Sequence, residues 1–128
     1  MVKTELLNLE TKFLWAGAAS LTIHGEADIS TTPKIEKTVD GLIKSSVDNL
    51  LIDLTPTTFM DCNFLSALIR KKRDISEKGG EMALVFNSDH FHKIFHITGL
   101  NRIFHIFDTE EEGINALFEA RERMAVAV

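Results

Sequence analysis

The 128 residues suit one domain of ordinary size, long enough to bury a core without disulfide or metal staples. Apolar residues at 45% and charged residues at 26% exclude a disordered chain. A formal charge of −5, from 14 basic against 19 acidic side chains, supplies no net field to draw phosphates and argues against a nucleic-acid binder.

Leu6, Leu7 and Leu9 mark a short first strand, and polar Glu10-Thr11-Lys12 reads as the turn after it. Ala19, Leu21 and Ile23 then alternate with Ser20, Thr22 and His24, the period of a half-buried strand, which Gly25 ends. Thr32 as cap and Pro33 at the first helical position open a helix. Its apolar stripe is Ile35, Val39, Leu42, Ile43 and Val47. Leu50 to Leu54 is too short and too continuously apolar for a helix, so it predicts a central strand covered on both faces.

Pro56 breaks the chain, and a second helix should start within Asp61-Cys62-Asn63. Phe64, Leu65, Leu68, the stem of Lys72 and Ile75 form its inner face, and Gly79-Gly80 stops it. Met82 to Phe86 is another buried strand. Ser88 caps a third helix running to Ile97, with Phe91, Ile94 and Phe95 inward and Gly99 at its end. Ile103 to Phe107 gives the last strand. Thr109-Glu110-Glu111-Glu112 is a capping box for a final helix that buries Ile114, Leu117 and Phe118. Strands alternating with amphipathic helices imply an α/β fold, with a mostly parallel mixed sheet, about four helices and an antiparallel N-terminal hairpin at one edge.

Cys62 is the only cysteine, which suits a reducing cytoplasm. The start, Met1-Val2-Lys3-Thr4-Glu5, turns polar at once, without a signal-peptide run. No stretch reaches the ~18 apolar residues of a membrane span. A single domain over residues 1–128, cytoplasmic and without integral membrane association, is the expectation.

Candidate chemistry is sparse. Asp89, His92 and His96 share a helical face, but too few ligands join them to predict a metal. Arg70-Lys71-Lys72-Arg73 reads as a solvated basic face. No phosphate-cradling glycine motif occurs, and no base partners Cys62, which is expected to be a small inert filler. No enzyme and no cofactor is predicted.

Five segments in register then carry a resemblance: His24-Gly25-Glu26-Ala27-Asp28, Leu51-Ile52-Asp53-Leu54, Thr58-Phe59-Met60-Asp61, Gly79-Gly80-Glu81-Met82 and Phe95-His96-Ile97-Thr98-Gly99-Leu100. Together they resemble the STAS domain family, especially the bacterial anti-sigma factor antagonists. The resemblance implies a non-catalytic, protein-binding role in partner switching, with an ATP-binding anti-sigma serine kinase as partner. In that family the second helix starts at a serine which the partner phosphorylates. Here Cys62-Asn63-Phe64-Leu65 stands in place of Ser-Ser-Gly-Leu, so the acceptor position falls on Asn63, which has no hydroxyl. The implied contact surface is Glu26, Asp28, Asp61, Cys62, Asn63 and Phe64, with Ser66 and Thr58 as alternative acceptors. Other roles the resemblance allows are an assembly subunit of a signalling or lipid-transport complex, and a small-ligand sensor with Cys62 and Phe64 lining a pocket. A homodimer is compatible with each.

Overall fold

The computed structural model describes residues 7–126, and side chains to residue 123; Leu6 lies outside that range. Strand β1 (Leu7–Trp15) pairs antiparallel with β2 (Ala18–Ala27), and the tight turn falls at Ala16-Gly17. The turn expected at Glu10-Thr11-Lys12 is instead mid-strand. Those residues are polar because β1 is an edge strand of its own chain's sheet, where polarity does not require a loop. Gly25 does not end β2 either, since the strand continues two residues to Ala27.

Helix α1 (Thr32–Lys44) follows, then β3 (Asn49–Asp53), β4 (Thr57–Met60), α2 (Cys62–Glu77), β5 (Glu81–Val85), α3 (Asp89–Thr98), a single 3-10 turn at Leu100–Arg102, β6 (His105–Phe107) and α4 (Glu110–Val126). The sheet runs β1-β2-β3-β5-β6, and every contact after the first hairpin is parallel. The expected mixed sheet with an antiparallel edge hairpin is therefore present. Ile103 and Phe104 precede β6 rather than belonging to it: Phe104 turns inward against Phe95, ring centres 6.1 Å apart, which the short helical turn makes possible.

Alternation along the strands builds two cores. Leu21, Ile23, Leu50, Ile52, Leu84 and Phe86 face α1, α2 and α3, whose inward residues include Ile35, Val39, Phe64, Leu68, Phe91 and Phe95. Leu51, Ala83 and Val85 point the other way and receive Leu117 of α4. β3 is thus covered on both faces, as its unbroken apolar text demands. Phe118, expected inward, is 45% exposed because α4 covers only part of this face. It packs edge-on against Trp15 at 5.6 Å. Gly113 lets α4 approach: a methyl there would lie 2.6 Å from Leu51 Cδ1.

β3 and β4 lie along the same side of β2, at its two ends. β3 pairs with Ala18 to Thr22 and β4 with Gly25 to Ala27. Between them the chain steps at Leu54-Thr55-Pro56. Asp53 Oδ1 accepts from the Thr55 backbone and hydroxyl, and the buried Thr57 hydroxyl donates to the Ile23 carbonyl at 2.7 Å. β4 is absent from the sequence expectation, since a four-residue strand with two outward residues shows no usable period.

Candidate functional site

The step delivers Asp61 to the end of β2, where its N–H donates to the Ala27 carbonyl at 3.1 Å. Asp61 is the cap of α2: Oδ1 accepts from Phe64 N–H at 3.1 Å, one of the orphan donors of the first turn. Its other oxygen, Oδ2, accepts from Ile29 N–H at 2.9 Å. One carboxylate therefore holds both the helix start and the loop between β2 and α1.

Asp28 organises that loop. Its Oδ1 accepts from the Ser30 hydroxyl at 2.7 Å and from the backbone N–H groups of Ser30 and Thr31. The Ser30 hydroxyl, with these further donors, holds the carboxyl below its usual range. Thr31 Oγ1 donates to the Glu26 carbonyl at 2.7 Å. This web makes Thr31 the cap residue of α1 and draws Thr32 into the helix as its first residue, one position earlier than the sequence suggests. Pro33 is then the second helical residue.

These bonds bring Glu26, Asp28, Asp61, Cys62 and Asn63 to one end of the molecule. Glu26 pairs with Phe59 in the β2–β4 register, which skips Thr58 in a bulge. Cys62, Asn63, Ser66 and Thr58 are exposed. Phe64 is not with them. It is 0% exposed, inside the core between α2 and the sheet, because the third helical position already points at β2 and β3. A residue counted both as inner face and as contact surface can be only the first. Cys62 is likewise no filler, since it faces solvent. The two side chains point to opposite sides of the helix, so they do not line a shared pocket.

Two surface residues went unrecognised. Ile29, 68% exposed, sits beside the cap it bonds to, and Phe59, 48% exposed, stands two residues before it. Ile69 adds a further exposed apolar group on α2. An isoleucine within Asp28-Ile29-Ser30-Thr31, where no period can bury it, was the available signal for Ile29. Phe59 gave none, because the bulge at Thr58 upsets the alternation.

The basic run on α2 is only partly a solvated face. Lys71, its side chain 12% exposed, reaches Asp40 of α1 at 2.7 Å, and Arg70 meets Glu36 at 3.0 Å. Burial pushes the Lys71 ammonium down, but the Asp40 hydrogen bond and the charges of Asp40, Asp74 and Glu36 outweigh it, leaving a net rise. Among the described residues no group of three His, Cys, Asp or Glu side chains gathers as a metal site would require. His92 packs on Phe86, ring centres 4.7 Å apart. No described helix is long and apolar enough to cross a membrane.

The sheet carries three helices on one face and one on the other, and exposed apolar groups flank the capped helix start at its end. The STAS domain profile matches residues 16–113, and the chain belongs to that family. It is 29% identical over 104 residues to an anti-sigma F factor antagonist of Paenibacillus polymyxa, spanning 80% of this chain and 86% of that protein. An anti-sigma factor antagonist from Mycobacterium paratuberculosis superposes with TM-score 0.78 at 22% identity, over 87% of this chain and 93% of the other. The phosphorylated form of the Bacillus cell-fate determinant SpoIIAA superposes with TM-score 0.69 at 19% identity, over 85% and 98%.

Proposed function

We propose that this domain acts as an anti-sigma factor antagonist, docking an ATP-binding anti-sigma kinase through the start of α2. The observation that carries the reading is the exposed Asn63, presented by the Asp61 cap at the position where the family resemblance puts the phosphoacceptor serine. The contact surface comprises Glu26, Asp28, Asp61, Cys62 and Asn63, extended by Ile29 and Phe59. Apolar anchors inside a polar rim are what a protein interface needs for affinity. Asp28 and Asp61 spend their hydrogen bonds within the chain, so they act on a partner by charge alone, steering a basic patch rather than bonding to it.

Phosphorylation at such a helix start adds about −1.5 to −2 charges to a packed contact, enough to release a partner. Asn63 carries no hydroxyl to accept the group, and as a neutral polar residue it resembles the unmodified serine. The domain is therefore constantly competent to bind. The test is titration calorimetry of the full chain against the anti-sigma kinases of its own genome, with and without ATP. Binding that ATP does not abolish is expected, and Asn63→Asp should weaken it by about tenfold through one buried unpaired charge. If none of those kinases binds, the antagonist role is lost. If mass spectrometry finds phosphate on Ser66 or Thr58 after incubation with kinase and ATP, the unswitched role is lost.

A further inference from the structure

β1 closes one side of the sheet with nine residues, and among the described residues no strand meets its outer flank. A free edge of that length pairs with another strand unless charges, proline or a bulge blunt it. The irregularity against β2 comes only after Phe13, so the middle of the strand is regular. What guards it is Glu10 and Lys12, one on each side of Thr11. These two charges repel most strands but complement themselves. We propose that two copies of this chain join β1 to β1, antiparallel, about a two-fold axis at Thr11, forming one continuous sheet.

Register decides the matter. A two-fold axis perpendicular to the sheet keeps every side chain on its own face, so only registers centred on a residue are allowed. Centred on Thr11, Glu10 of each copy stands opposite Lys12 of the other. On the opposite face Leu9 stands against Phe13, whose ring, 66% exposed in the single chain, becomes covered. Centred on Glu10 the glutamates oppose each other, and centred on Lys12 the lysines do; both are unfavourable. Centres further out leave the charges without opposite partners. A strand of another protein would have to supply the same reversed pair, which a second copy carries by construction. Both side chains are available: Glu10 is 66% and Lys12 60% exposed despite their contacts with His24 and Glu110.

Sedimentation equilibrium of the full chain tests this. The wild type is expected to pass from monomer to dimer with rising concentration. Glu10→Lys and Lys12→Glu, each placing like charges opposite each other twice, should each raise the dimer Kd about tenfold. The double exchange, Glu10→Lys with Lys12→Glu, should return it close to wild type. It loses both the His24 and the Glu110 contact, of which each single variant loses one, so recovery cannot come from the monomer. A wild type that stays monomeric, or a double exchange no better than the singles, overturns the proposal.

Discussion

Replacing Phe64 by glycine, the residue the family resemblance places there, should damage the fold rather than restore a family feature. Phe64 is fully buried in the larger core, between α2 and the strands that carry Leu21 and Leu50. Emptying a buried phenylalanine site to alanine costs about 3–5 kcal/mol, from lost transfer energy and the residual cavity. Glycine adds up to about 1 kcal/mol in backbone freedom. The sum, about 4–6 kcal/mol, is a large part of the roughly 5–15 kcal/mol that holds a domain together. At about 3–4 °C per kcal/mol for a chain of this length, the midpoint should fall by about 12–24 °C. Equilibrium urea denaturation of wild type, Phe64→Gly and Phe64→Leu measures it, with the urea slope m held as a check on two-state behaviour. Phe64→Leu keeps most of the volume and should cost only about 1 kcal/mol. A loss below about 1 kcal/mol in Phe64→Gly would show that the site collapses freely and that Phe64 is not a core residue in solution.

Asp61→Ala removes a helix cap and the tether to Ile29 together, and should cost about 1–3 kcal/mol in the same assay; Asp61→Asn, which keeps an acceptor, should cost less. Lys71→Met should lower stability by about 1 kcal/mol near neutral pH. Because the Lys71 pKa is raised by folding, its contribution is fully present below about pH 10.4, the unfolded value, and fades as pH rises through the folded one. Wild type and Lys71→Met should therefore converge in alkaline denaturation series, and a constant gap would refute the ion-pair account. Gly113→Ala should destabilise by about 1–3 kcal/mol, although alanine is the better helix former, because its methyl meets Leu51 and Val85. A thermal midpoint above wild type would contradict that.

Where the chain is doubly buried or regularly amphipathic, its text was enough: β3, β5 and the inner faces of α1 to α3 follow from runs and periods that admit one burial. The edges were harder. Glu10-Thr11-Lys12 has turn-like composition because no described strand of its own chain lies on its outer flank, and composition does not distinguish an edge from a turn. Lys71 reads as solvent-facing until α1 is placed beside α2, since its partner Asp40 lies 31 residues earlier. At the candidate site, the residues themselves located the helix start, the resemblance implied its contact role, and the observed cap makes Asp61 its anchor. Ile29 escaped because the hydrogen bond that sets it beside the α2 cap runs to a residue 32 positions away.

The bonds that fix the helix start run through Ala27, Ile29, Asp61 and the Phe64 amide, and the step in β3–β4 clamps them to the sheet. Cys62 and Asn63, the two outward residues, sit on this frame without being part of it. Identity at those positions is thus free to drift while the backbone beneath keeps its shape. A lineage can change the surface presented there in one or two codon changes, with little penalty in folding to hold it back.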